Sequence, residues 1–166
     1  MKNLLIAGDT KVLNFINFHL HCNFLNLFFK NITHLGGAIF SISLSLLAYI
    51  AISIDYGIRI SLSLFISHMI VRIIKKTVGR IRPYISIDIK TITPILQDYS
   101  FPSGHSCSSF SIATSLSIIF PKLTPFLFAV AFLVSFSRIY LGHHYPTDTI
   151  IGGLIGYTTA LIVFLV

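Results

Sequence analysis

Apolar residues in this chain run in long blocks, and each block ends at a short polar cluster. The blocks are Leu35–Ile54, Ile58–Ile74, His105–Phe120, Leu123–Leu141 and Thr149–Val166. A helix crossing the hydrocarbon core of a bilayer needs ~20 largely apolar residues, with ~17 as a working minimum. Four blocks meet that length, and His105–Phe120 is short unless its flanks extend it. Stretches such as Ser41–Leu46 and Ile60–Leu64 alternate apolar and polar residues, which is a strand signal. A membrane β-strand, however, is only ~9–11 residues and then turns, whereas Leu35–Ile54 runs on without turn residues after Gly37. Serine is also at home in membrane helices, where it bonds to backbone or to a neighbouring helix. Five spanning helices are the expectation.

The first 34 residues read differently. Val12, Phe15, Ile16, Phe18, Phe24, Leu25, Leu27 and Phe28 interleave with Asn14, Asn17, His19, His21, Asn23 and Asn26, with Lys11 and Lys30 near the ends. This amphipathic pattern predicts a helix lying in the membrane interface rather than crossing it. The apolar run Leu4–Ala7 is too short for the core of a signal peptide. The expected architecture is all-α: an integral membrane helical bundle of about five transmembrane helices (35–166), preceded by an interfacial segment (1–34), in a single domain over 1–166.

Composition narrows the class. The chain is 54% hydrophobic and 10% charged, with a mean hydropathy of +0.85. The net charge of +7 is spread between the blocks and forms no long basic run. Nucleic acid is therefore a poor partner, whereas anionic lipid, as surface or as substrate, fits. Cys22 and Cys107 are far apart and suggest neither a disulfide framework nor a metal site.

Charged groups beside a bilayer are costly and are usually kept for function. Four polar clusters gather three cations, two histidines and one carboxylate: Lys75 with Arg82-Pro83, Pro102-Ser103-Gly104-His105, Ser137-Arg138, and His144 with Asp148. Counting crossings, Lys75 ends the second block, His105 opens the third, Arg138 ends the fourth, and His144 and Asp148 precede or open the fifth. An antiparallel bundle brings all four clusters to one face. The short connections Asp55–Gly57 and Pro121–Lys122 then lie on the other.

The gathered residues suit an anion. Pro-Ser-Gly at a helix start offers free N–H groups and the positive end of the helix dipole, and Gly104 admits a close ligand. Asp148 falls in the first turn behind Pro146, four residues after His144, where a carboxylate can fix the tautomer of an imidazole. Lys75, Arg82 and Arg138 supply the cations that phosphoryl oxygens require. A cysteine-phosphatase loop is excluded because Ala113 stands where its arginine would be, and five scattered Asp with no Glu cannot easily build a two-metal site. Histidine remains as the nucleophile.

These residues closely resemble the type 2 phosphatidic acid phosphatase superfamily, marked by K-x6-RP, PSGH and SR-x5-H-x3-D. All three motifs are present in order, from Lys75 to Asp148. Their spacing selects Lys75 over Lys76 and His144 over His143, so loss of the His143 side chain is expected to be nearly silent. The resemblance implies that His144 attacks phosphorus, Asp148 orients it, and His105 protonates the leaving oxygen and then activates water. It implies that Lys75, Arg82, Ser103, Gly104 and Arg138 hold the phosphoryl oxygens, with no metal or cofactor. The implied substrate is a lipid phosphate or pyrophosphate: phosphatidate, phosphatidylglycerophosphate or undecaprenyl pyrophosphate. A non-enzymatic lipid binder or transporter, or a lipid phosphotransferase, could use the same cradle. The cations on the site face would by themselves argue for a cytoplasmic site. Of the six, Lys75, Lys76, Arg80, Arg82, Lys90 and Arg138, three are the cradle itself, however, and the resemblance places the site outside a bacterial plasma membrane.

Overall fold

The computed structural model describes residues 2–166, with side chains from residue 7 onward, so Leu4, Leu5 and Ile6 fall outside the described side chains. The described helices are α1 (Lys2–His19), α2 (Asn23–Ile32), α3 (Ala38–Ala51), α4 (Ile54–Val78), the single turn α5 (Pro83–Ser86), α6 (Gly104–Ile119), α7 (Thr124–Tyr140) and α8 (Pro146–Leu165). Short 3-10 turns occupy Thr33–Gly36 and Pro121–Leu123. No strand occurs among the described residues. Two of the alternating serines satisfy their hydroxyls within their own helix: Ser45 Oγ donates to the Ile42 carbonyl and Ser63 Oγ to that of Arg59, both at 2.9 Å.

The chain is an integral membrane protein whose outer surface is apolar. Ile39, Ile50, Phe65, Ile73, Phe126, Phe132, Leu154 and Leu165 all stand exposed. Inside, α6 packs against α3, α4, α7 and α8. Its buried residues are mostly small, including Ser106, Cys107, Ser109, Ser111, Ala113 and Ser115. Two glycines of α8 complete this contact. A Cβ on Gly152 would lie 2.3 Å from the Ser103 carbonyl oxygen, and one on Gly156 would lie 2.0 Å from that of Cys107. Small residues spaced by four let two membrane helices approach backbone to backbone. This contact holds the Ser103-Gly104 helix start against the first turns of α8.

All five predicted blocks are helical, but not all match a bilayer. The segments Ile54–Ser86, Pro121–Tyr140 and Pro146–Leu165 are long and apolar enough to cross. A fourth crossing arises if Asn23–Gly36 and Ala38–Ala51, bent by 49°, act as one broken span. At 16 residues, α6 is only ~24 Å long, against a core of ~30 Å. It lies inside the bundle, where the neighbouring helices rather than lipid surround it.

Two boundaries differ from expectation. Asp55–Gly57 is not a loop: Ser53 caps α4 by accepting from the Tyr56 N–H, so those residues form its first turn. The interfacial segment is two helices, and only α2 keeps the expected pattern, with Phe24 and Leu27 exposed and Phe29 buried. Instead of lying free, α1 covers the site face. Its Leu13 and Ile16 join Ile139, Tyr140, Leu141 and Tyr145 in one core. Buried Asn17 accepts from the Lys90 N–H and donates to the Lys90 carbonyl, both at 2.9 Å, so its amide serves the loop rather than solvent.

Candidate active site

The site lies where α4, α7 and α8 end or begin, under the loop that joins α5 to α6. Gly79, at φ +60°, ends α4 by donating to the Lys75 carbonyl, which keeps Lys75 in the last turn. Lys75 is half-buried, whereas Lys76 is exposed. Lys75 Nζ donates to Asp98 Oδ2 and to the Tyr99 carbonyl, each at 2.6 Å. Arg82, buried just before α5, donates to Asp98 Oδ1 at 2.5 Å, to the Asp98 carbonyl at 2.8 Å and to the His143 carbonyl at 2.9 Å. Two cations from different segments thus converge on a single carboxylate. Burial alone would raise the Asp98 carboxyl, but the hydrogen bonds and charges of Lys75 and Arg82 outweigh it and hold the group at about 2.

His144 sits in the turn between α7 and α8 and is buried. Its Nε2 accepts from Arg82 at 3.3 Å, and its Nδ1 lies 3.5 Å from both Asp148 Oδ2 and Ser100 Oγ. An arginine can only donate, so Nε2 carries the lone pair and Nδ1 the proton. Burial, then the charges of Arg138 and Arg82, push the imidazole well below its ordinary value and keep it neutral. The fully buried Asp148 accepts from Ser100 Oγ, from the Tyr145 N–H at 2.9 Å and from Arg80 at 2.7 Å.

Arg138, also buried, donates to Thr33 Oγ1 at 2.7 Å and to His143 Nδ1 at 2.6 Å. His143 in turn directs Nε2 to Thr93 Oγ1 at 2.6 Å. Its own value falls to about 3, through burial first and then Arg138 and Arg82. Ser103 is fully buried, and its Oγ accepts from the Ser106 N–H at 3.4 Å, capping α6 rather than standing free. Nothing lies within 4 Å of where a Gly104 Cβ would be, so the helix start is open on that side. His105 is half-buried in the first turn of α6, and a Cβ on Gly37 would lie 3.8 Å from its Nε2.

Sequence reasoning missed several members of this network. Asp98, Ser100 and Thr93 come from a loop without a recognisable pattern, and Thr33 from a 3-10 turn. Arg80 appeared only as one more basic residue. His143 was set aside because the spacing favoured its neighbour. The small-residue spacing Gly152-x-x-x-Gly156 was legible and would have predicted the α6–α8 contact.

A helical membrane bundle that gathers Lys75, Arg82 and Arg138 at one face beside a paired histidine and aspartate is the class of protein these features define. The sequence profile of the PAP2 superfamily matches residues 56–166, and the chain belongs to that superfamily. It is 34% identical over 102 residues to the undecaprenyl-diphosphatase of Sulfolobus acidocaldarius, covering 60% of this chain and 50% of that one. It is 31% identical over 164 residues to the lipid A 4'-phosphatase of Bacteroides thetaiotaomicron, covering 89% and 72%. The crystal structure of Aquifex aeolicus LpxE superposes with a TM-score of 0.84 at 30% identity, covering 94% of each chain. The chain thus spans half the length of the Sulfolobus protein and most of the other two.

Proposed function

We propose that this protein is a membrane lipid phosphatase that removes the terminal phosphate of a lipid phosphate or pyrophosphate through a phosphohistidine on His144. The observation that carries the reading is the state of His144. Its imidazole is neutral, its Nδ1–H faces Asp148, and its Nε2 lone pair lies beside Arg82. Such a group is ready to attack once the Arg82 hydrogen bond passes to a phosphoryl oxygen.

In the first step Nε2 forms a bond to phosphorus, the phosphorus–oxygen bond to the lipid breaks, and His105 gives its proton to the leaving oxygen. In the second, water loses a proton to His105 and attacks phosphorus, which breaks the P–N bond and releases phosphate. Lys75, Arg82, Arg138 and the Gly104 amide offset the oxygen charge at the transition state, where preorganised donors act most strongly. Asp98 marks where a phosphate would sit, since its carboxylate already holds Lys75 and Arg82. An apolar groove of about 340 Å³ between α6, α7 and α8, walled by Phe110, Phe132, Phe136 and Tyr157, includes Ile139 and Thr149, the neighbours of Arg138 and Asp148. It gives a lipid tail a place beside the cradle.

The names of the relatives favour a prenyl pyrophosphate or a lipid A-type phosphate. Purified protein should release phosphate from one member of a panel of undecaprenyl pyrophosphate, a lipid A phosphate, phosphatidylglycerophosphate and phosphatidate. His144→Ala should abolish release, and turnover retained in that variant would refute the histidine mechanism. We place the site on the outer face of a bacterial plasma membrane. Labelling of Lys122→Cys by an impermeant reagent in intact cells, in a background lacking Cys22, would overturn that placement.

A further inference from the structure

α1 lies outside the region matched by the family, yet it reaches the proposed catalytic pair. Asp9 is 4% exposed. Its Oδ2 meets Arg80 Nη2 at 2.7 Å and accepts from Thr147 Oγ1, while its Oδ1 accepts from the Thr147 N–H at 3.0 Å. Arg80 Nη1 then spans Thr147 Oγ1 at 2.8 Å and Asp148 Oδ1 at 2.7 Å. Its guanidinium lies 3.9 Å over the ring of Tyr145. Arg80 is therefore gripped from three directions, by a carboxylate on each side and an aromatic face below. A planar five-donor cation held this way has little freedom left.

Building on the function proposed above, we propose that Asp9 is a positioning residue, which fixes Arg80 so that Asp148 holds the His144 imidazole in its attacking tautomer. Asp148 has two oxygens. Oδ2 faces Ser100, the Tyr145 N–H and His144, and Oδ1 faces Arg80. Arg80 sets the rotation of the carboxylate, and that rotation aims Oδ2 at His144 Nδ1. Asp9 has no contact with the reacting atoms. Its influence passes through Arg80 and through the start of α8, whose Thr147 N–H it caps. The N-terminal helix is thus a working part of the site, and docking α1 completes the His144–Asp148 pair.

The test uses the full chain in detergent with the best lipid phosphate of the panel. Asp9→Asn keeps size but removes the charge and turns one of the two acceptor oxygens into a donor. It should lower kcat roughly 10-fold, at the lower end of what outer-shell partners contribute, with KM changed less than about twofold. Arg80→Gln should lower kcat roughly 100-fold, and Arg80→Lys should recover part of that loss. The Asp9→Asn, Arg80→Gln double variant should be no worse than Arg80→Gln, because the two residues act in series. Histidine labelled with 15N, with His144 assigned from His144→Ala, should show an Nδ1–H imidazole in the wild type and a mixed tautomer in Asp9→Asn. A wild-type kcat in Asp9→Asn, an additive double variant, an unchanged tautomer, or a loss matched by the fraction unfolded would each overturn the proposal. If no lipid phosphate is turned over but the tautomer shifts as stated, the positioning stands and the phosphatase reading fails.

Discussion

His143 offers the sharpest check on the site, because spacing and structure disagree about it. Spacing alone makes His143→Ala nearly silent. In the fold its Nδ1 accepts from Arg138 at 2.6 Å, and Arg138 is 3% exposed with Nε already lacking a partner. Truncation leaves that guanidinium only its bond to Thr33 among the described contacts. A hydrogen bond to a charged group contributes ~1.5–3 kcal/mol, and an orphaned buried donor costs on the same scale. If Arg138 holds a phosphoryl oxygen, that loss appears in the transition state, and each ~1.4 kcal/mol is tenfold in rate. His143→Ala should therefore reduce kcat/KM roughly 10- to 150-fold. His144→Ala should reduce it roughly 10⁶-fold, the scale of losing a covalent nucleophile. His143→Gln, whose amide oxygen can accept from Arg138, should recover part of the loss. The assay is phosphate release from one lipid phosphate in detergent, with thermal unfolding of each variant measured alongside. Activity of His143→Ala within twofold of wild type would refute the bracing role. A loss equal to that of His144→Ala would refute the assignment of the nucleophile.

Three further outcomes are expected. Asp98→Asn removes the carboxylate that competes for Lys75 and Arg82. Because that side chain is 58% exposed, the ion pairs are worth at most ~1 kcal/mol, so inorganic phosphate should inhibit the variant up to about fivefold more strongly. Weaker inhibition would show that Asp98 helps to build the cradle. Gly156→Ala forces a methyl to within 2.0 Å of the Cys107 carbonyl oxygen, a backbone atom that cannot step aside. Overpacking of ~1–3 kcal/mol should lower Tm by about 2–12 °C, and an unchanged Tm would refute the close α6–α8 contact. Acidification should destabilise the ligand-free protein. His143 and His144 stay neutral in the fold below the 6.5 at which the unfolded chain takes up protons. Their stabilisation is complete above pH 6.5 and drains as pH falls towards about 3. Asp98 adds the same sign between 3.8 and about 2. A Tm that is flat or rises between pH 7.5 and 5 would contradict the buried neutral imidazoles.

The helices and the face they share could be read from the chain because both depend on local rules. An apolar block in a bilayer must satisfy its own backbone, so it forms a helix. Alternation of spans then brings Lys75, His105, Arg138 and His144 to one side. Span number was less legible, since hydropathy cannot distinguish α6, which is short and serine-rich because protein surrounds it, from a helix facing lipid. The N-terminal pattern was read as amphipathic in the membrane plane. Asn17 and Asp9, polar in sequence, in fact turn inward because the Lys90 backbone and Arg80 receive them.

By itself, the sequence determined the membrane class, the helical blocks and the residue types that meet at one face, since each follows from composition, periodicity or motif spacing. Only the tertiary structure decided that Asp98 rests between Lys75 and Arg82, that His143 braces Arg138, and that α1 reaches Asp148 through Arg80. Those contacts join segments up to 138 residues apart, as from Asp9 to Thr147. Side-chain pairings at such separations depend on how the helices and loops pack against one another, which no local pattern in the chain records.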